Sequence, residues 1–212
     1  FRSRSRMKSA WSNVLLFVVG LCVTVASHGS SYLNLQFPTG VSFDLPKNWV
    51  VLSRNKTITL DAYIEAVLPS TVSEIKFQAN LKDDYGQPIA TVQVYYWNSQ
   101  TSQSDVERFT TFDVAEYNDA MREQMYSQLQ NIGSKVVSWN GTQRHTLGGL
   151  SILTSEYIRP SLLIKGHFNV RVSRVYCGDN SISFVSSYHV EQILNLRPLM
   201  DRVLSSLKHS NC

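Results

Sequence analysis

Cysteine is scarce in this sequence, and the short motifs that cysteine, glycine and histidine form in many enzymes are missing. The 212 residues include three cysteines, and no two of them are spaced as Cys-x-x-Cys, the arrangement found in redox and many zinc sites. The sequence also has no Gly-x-Ser-x-Gly elbow, no phosphate-binding glycine loop and no histidine pair with metal-ligand spacing. It therefore indicates no cofactor and no metal, although a catalytic site assembled from distant residues would leave no such motif.

The hydrophobic run near the N-terminus is too short for a membrane-spanning helix. Residues 14–26 carry no charge, but as a helix they extend only about 20 Å, against roughly 30 Å for the hydrocarbon core of a bilayer. Four basic residues precede the run, which is the order of a secretory signal peptide. We therefore expect residues 1–27 to be a leader and the protein to be periplasmic or secreted. A leader retained as a membrane anchor is the alternative.

An excess of basic charge is also absent from the domain that follows the leader. The chain has 20 Lys and Arg against 16 Asp and Glu, but four of the basic residues and none of the acidic ones lie within residues 1–26. The remainder therefore has 16 residues of each sign. Nucleic-acid binding requires clustered basic residues that neutralise phosphates, so we expect no nucleic-acid partner.

Residues 28–212 contain no repeat, low-complexity tract or Pro/Gly linker, which predicts one domain. Period-2 alternation predicts strands, and apolar residues at helical spacing predict helices. The predicted elements are a hairpin within Leu33–Val51, a helix from Thr59 to Leu68, strands Glu74–Lys82 and Ala90–Trp97, a helix from Asp113 to Gly133, strands Lys135–Trp139, Leu150–Ile158, Lys165–Tyr176 and Ser181–Val190, and a final helix from Asn195. We expect residues 98–108 to form a surface loop. This order predicts an α+β fold, an antiparallel sheet with helices on its faces.

Both ends of the domain resemble the PsbP-like superfamily. The segment Gly40–Trp49 has the order of a glycine, an apolar residue, alternating polar and aromatic residues, a proline and a tryptophan, and Leu199–Leu207 resembles the closing helix of that family. The resemblance implies an α/β/α sandwich. The family includes a photosystem II accessory protein, a Ran-binding nuclear import factor and exported bacterial proteins of unknown role. The leader favours the exported bacterial branch, and hence a non-enzymatic binding or accessory protein of the cell envelope that acts as a monomer.

One strand presents a polar row that is a candidate ligand-binding surface. Alternation places Lys165, His167, Asn169 and Arg171 on one face of the strand that begins at Lys165. If this row lies beside Gln93, Tyr95 and Trp97 of another strand, the two form a basic and aromatic cleft for a small anionic or sugar-like ligand. The alternatives are a solvated outer face of the sheet, a partner protein that is unknown, and a small hydrolase or transferase site near His167 and Arg171.

Counting distances along the predicted fold suggests a disulfide between Cys177 and Cys212. The strand that follows Cys177 runs away from it for about 33 Å, and the final helix with its short tail returns by a similar distance. An exported domain folds where thiols oxidise, so the two cysteines would be available to each other. The alternative is a frayed C-terminus with two free thiols.

Overall fold

The computed structural model of the chain describes residues 31–37, 39–52, 73–162, 164–210 and 212. The predicted leader, residues 1–27, and the helix predicted to begin at Thr59 lie outside these ranges. Among the described residues the elements come as runs of strands separated by helices, which is the order of an α+β fold. In chain order they are β1 (Tyr32–Gln36), β2 (Val41–Pro46), β3 (Val50–Val51), β4 (Ser73–Lys82), β5 (Pro88–Trp97), α1 (Gln103–Arg108), α2 (Thr111–Asn131), β6 (Ser138–Leu147), β7 (Leu150–Pro160), β8 (His167–Val175), β9 (Ser181–His189), a 3₁₀ turn (Val190–Gln192), α3 (Ile193–Ser205) and β10 (Lys208–His209).

The strands form two antiparallel sheets. The larger has seven strands in the order β3-β4-β5-β9-β8-β7-β6, and the smaller has three in the order β1-β2-β10. The predicted hairpin of β4 and β5 is confirmed, with Gln78 opposite Gln93. The predicted N-terminal hairpin is confirmed as β1 and β2, with Leu33 opposite Leu45.

Helices cover both faces of the large sheet, which confirms the predicted layering. On one face, hereafter the α2 face, Met121, Met125 and Leu129 of α2 pack on buried residues of β5 and β7–β9. On the other, the α3 face, the buried side of α3 and the small sheet pack together on β4, β5 and β9. The second cluster includes Trp49, which is 6% exposed and therefore part of the core.

The region between β5 and β6 differs from the sequence-based expectation. Residues 98–108 were expected to form a loop, but a capping box in which Ser102 and Asp105 bond each other's backbone N–H begins the short helix α1. A second box, made by Thr110 and Asp113, begins α2. Because Asp113 is the third residue of that helix, α2 starts earlier than the predicted Asp113.

The boundaries of β6 also differ from the prediction. The predicted strand Lys135–Trp139 overlaps β6 only at its start, since β6 continues to Leu147. A bulge between Trp139 and Gly141 interrupts the pairing with β7, and Gly141 adopts a φ of 94° that favours glycine. This edge strand is mostly polar, and the bulge shifts its alternation by one residue, so period-2 reasoning could not detect it.

Within the described ranges, no helix combines the length and the apolar character needed to cross a bilayer.

Candidate ligand-binding site

The predicted disulfide between Cys177 and Cys212 is present. The two Cα atoms are 5.0 Å apart, and the frayed C-terminus that was the alternative is wrong. The end of the chain is held before the bridge as well, because β10 pairs His209 with Val41 and the imidazole of His209 bonds to the carbonyl of Asn180 at 2.8 Å. Two independent attachments therefore bring Cys212 to the turn that follows β8.

The strand register divides the predicted cleft between the two faces of the large sheet. Asn169 and Arg171 of β8 lie in the rows of Ala90 and Val92, whose side chains belong to the α3-face core. Tyr95, by contrast, packs in the α2-face core. The cleft predicted from these residues is therefore wrong, because the register of β8, β9 and β5 places the two sets of side chains on opposite sides of the sheet.

On the α3 face, Asn169 and Arg171 join a charge-balanced cluster that ties α3 to the sheet. Asn169 Nδ2 donates to Glu156 Oε1 at 2.7 Å, and the other oxygen of Glu156 lies 3.4 Å from Arg197 of α3. Arg171 forms an ion pair with Asp201, also on α3. Each arginine thus has a carboxylate partner from the other element, which is the arrangement that a structural contact requires.

Lys165 and His167 lie apart from that cluster, at the start of β8. Both side chains are exposed, and Lys165 precedes the strand, so alternation no longer governs its direction. The carbonyl of Lys165 lies 3.1 Å from His189 Nε2. That contact uses the backbone, and within the described ranges neither His167 nor His189 pairs with a carboxylate, as the histidine of a hydrolase would.

On the α2 face, Tyr95 and Trp97 have different surroundings. The hydroxyl of Tyr95, which is buried, donates to Gln93 Oε1 at 3.0 Å. Trp97 is half-buried and meets the ring of Tyr176 edge to face, with centroids 5.0 Å apart. The guanidinium of Arg174 lies 5.6 Å from the centre of the Trp97 ring, within the range of a cation–π interaction.

Trp97, Tyr117, Arg174 and Tyr176 together form what we call the aromatic–arginine site. Arg174 lies in β8, Trp97 ends β5, and Tyr117 comes from α2. The guanidinium interacts with the hydroxyls of Tyr117 and Tyr176. Burial raises the pKa of Tyr117 above its ordinary value, and the charge of Arg174 opposes this rise. The hydroxyl of Tyr117 therefore remains protonated at neutral pH and can act as a hydrogen-bond group.

The charge of Arg174 is not balanced by a carboxylate. The four ion pairs found in the described part of the chain involve Arg108, Arg122, Arg171 and Arg197 but not Arg174. Its Nε atom is buried without a hydrogen-bond partner, and so is Nε1 of Trp97. A buried charge is costly unless it is paired, and here tyrosine hydroxyls and aromatic rings surround the guanidinium in place of a carboxylate from the described residues.

Neighbouring elements hold the walls of this site in place. The side-chain amide of Gln103, in α1, donates to the Tyr176 carbonyl at 3.0 Å and accepts from the Ser151 backbone N–H at 2.6 Å. Arg144 of β6 donates to three carbonyls at the end of α1, those of Val106, Glu107 and Phe109. The disulfide begins at Cys177, next to Tyr176. The geometry is thus fixed from several directions before any ligand arrives.

Sequence reasoning found Trp97 but missed the other three residues. Arg174 has the same parity as Phe168, Val170 and Val172 of β8, which alternate with the polar row and pack in the α2-face core. The pattern that could have indicated this residue is an arginine at the end of an apolar row, because such a row faces the helices and its last position then places a basic side chain on that face. Tyr117 follows the apolar spacing that predicts α2, and a core position and a site position have the same helical spacing.

Comparison with known proteins identifies the fold. No family model matches the chain, and no curated protein matches it at a significant level. Among solved structures, the cyanobacterial PsbP protein CyanoP from Synechocystis sp. PCC 6803 is similar with a TM-score of 0.56 and 13% identity, over 84% of this chain and 92% of that chain. LpqN, described as involved in cell envelope biogenesis of Mycobacterium tuberculosis, has a TM-score of 0.44 and 11% identity, over 84% of this chain and 89% of its own. At these identities the likeness concerns architecture alone. The antiparallel sheet between helices and the similarity to CyanoP together show that this chain has a PsbP-like fold.

Proposed function

We propose that this protein is an exported accessory protein of the cell envelope that acts by binding, without catalysis, and that the aromatic–arginine site is where it binds. The observation that carries the proposal is the guanidinium of Arg174, which is half-buried among aromatic side chains and has no carboxylate partner in the described chain. A structural arginine is normally paired, as Arg171 is. An arginine kept unpaired in the free protein is the expected feature of a site whose partner is a ligand.

Export is supported by two features. The basic and apolar order of the first 27 residues is that of a secretory leader, and the disulfide is of a kind that persists in oxidising compartments and is rare in the cytosol of mesophiles. A periplasmic or secreted location agrees with both. A binding role is supported by the aromatic–arginine site, which presents hydrogen-bond donors and aromatic surface but no nucleophile beside a base.

The stability of two arginine variants tests the proposal without knowledge of the ligand. Arg174→Met keeps most of the aliphatic stem and removes the unpaired charge, so we expect the free energy of unfolding to stay within about 0.5 kcal/mol of wild type or to rise. The control is Arg144→Met, in the same row of the sheet, which loses three hydrogen bonds to α1. We expect it to lower the free energy of unfolding by about 1–3 kcal/mol.

Urea denaturation followed by circular dichroism measures both variants. If Arg174→Met destabilises the protein as much as Arg144→Met does, Arg174 is a structural residue and the proposed binding site is wrong. A gain in stability, or no change, is the signature of a residue retained at a cost to the fold.

A further inference from the structure

We infer that the aromatic–arginine site takes the carboxylate of a small organic molecule that carries a single negative charge. This inference rests on the proposed function, because it names the ligand class of the same site. It follows from three properties of the site, namely its charge, the type of its unpartnered groups and its degree of enclosure.

The charge of the site is a single positive one. Arg174 is the one charged residue whose field acts on Tyr117, and the nearest arginine in its row, Arg144, is occupied by the carbonyls of α1. A carboxylate neutralises one guanidinium. A phosphate group carries about −1.5 to −2 at pH 7, so it would leave negative charge uncompensated in a half-buried place, which is unfavourable.

The unpartnered polar atoms of the site are all donors. Nε of Arg174 and Nε1 of Trp97 are both buried with no acceptor in the described chain. Carboxylate oxygens accept hydrogen bonds and cannot donate them, so they fit this set, and guanidinium–carboxylate bonds are among the strongest in proteins. A neutral amide of the same shape offers one acceptor oxygen, but its own N–H groups would face the N–H donors of Arg174 and Trp97, where neither side has an acceptor.

The enclosure of the site favours a small molecule with an apolar body. Trp97, Tyr117 and Arg174 are half-buried and Tyr176 is 7% exposed, so these four residues offer little exposed surface to the flat face of a second protein. The rings of Trp97 and Tyr176, 5.0 Å apart, offer aromatic surface beside the charge. An aromatic monocarboxylate therefore satisfies the guanidinium and the rings together.

The experiment is a titration of the purified chain with three probes at constant ionic strength and pH 7, followed by ¹H–¹⁵N NMR. The reporter is the indole N–H of Trp97, identified among the four tryptophans by its loss in Trp97→Phe. The probes are sodium benzoate, neutral benzamide and sodium phosphate. We expect benzoate to shift the Trp97 signal in a saturable manner, with an apparent Kd at least tenfold lower than those of the other two probes.

Variants complete the test. Arg174→Met should abolish the saturable benzoate shift of Trp97, whereas Arg108→Gln, which removes an exposed arginine paired with Asp105 on α1, should leave it unchanged. Equal binding of phosphate, equal binding of benzamide, or retention of the benzoate shift in Arg174→Met would each overturn the inference. No shift with any probe would overturn it too, while the unfolding measurements on Arg174→Met and Arg144→Met would still decide the proposed function separately.

Discussion

Arginine side chains on the two faces of the large sheet have different kinds of partner. On the α3 face, Arg171 and Arg197 each meet a carboxylate, and both pairs link the sheet and α3. On the α2 face, Arg174, three residues from Arg171 along the same strand, lies among aromatic rings and has no acidic partner among the residues that the structure describes. We propose that this difference separates an arginine that holds the fold together from one that is available to a ligand, with the carboxylate partner as the distinguishing feature.

The disulfide is where the two faces are joined, and its removal should have the largest effect. Cys177 follows the strand that carries Arg174, and Cys212 follows β10, which belongs to the small sheet on the α3 face. The bridge closes a loop of 35 residues, for which the chain-entropy relation gives about 3.5–4 kcal/mol. We expect the double variant Cys177→Ser/Cys212→Ser to lose about this much free energy of unfolding, measured by urea denaturation.

The control for that measurement is wild-type protein reduced with a dithiol, which should lose a similar amount. A loss below about 1 kcal/mol in both cases would mean that the pairing of β10 with β2 already holds the chain end. In that case the bridge would contribute little to joining the faces.

Removing Arg171 should have an intermediate effect, opposite to that of removing Arg174. The Arg171 side chain is 12% exposed and Asp201 is 51% exposed, so the pair lies between the surface pairs worth about 0–1 kcal/mol and the buried pairs whose disruption costs about 3–5 kcal/mol. We expect Arg171→Met to lower the free energy of unfolding by about 1–2 kcal/mol. Arg197→Met, which breaks a longer and more exposed contact, should change it by less than about 0.5 kcal/mol.

Comparing the free energies of unfolding of Arg171→Met and Arg174→Met tests the difference between the two faces directly. If both variants lose the same free energy of unfolding in the denaturation experiment, the distinction between a structural and an unpaired arginine fails. If only Arg171→Met is destabilised, the distinction holds.

His145 should give the smallest effect, seen in the pH dependence of stability. Burial lowers the pKa of His145 below its ordinary value of 6.5, and the positive charge of Arg171 lowers it further. The folded protein then binds fewer protons at His145 than the unfolded chain does, so stability falls as the pH decreases through 6.5. We expect His145→Gln to lose less stability than wild type between pH 7.5 and pH 5.5.

Urea denaturation midpoints at the two pH values measure this difference, and His167→Gln, at an exposed histidine of β8, is the matched control. A pH dependence in His145→Gln equal to that of wild type would show that the imidazole is as accessible to protons in the folded protein as in the unfolded chain.

Local patterns in the sequence determined most of the elements and one long-range contact. Alternation over Glu74–Lys82 and Ala90–Trp97 predicted the central hairpin, and the spacing of Met121, Met125 and Leu129 predicted α2, because the side chains that must be buried repeat with the period of the backbone. The pairing of Cys177 with Cys212 could be predicted because strand and helix rises per residue are constant, so path lengths can be summed.

Tertiary structure alone decided which face of the sheet each row occupies and which residues meet there. Alternation along β8 predicts that Asn169 and Arg171 share one face of the sheet and that Arg174 lies on the other. It does not predict which of these two faces carries Tyr95, because Tyr95 belongs to a strand two positions away in the sheet. That depends on the register between β8, β9 and β5, and a shift of one residue would reverse it. Nor could the sequence show that no carboxylate of the described ranges pairs with Arg174. The acidic residues are distributed along the whole chain, and only the packing of α2 and the end of β5 around this arginine determines which of them can reach it.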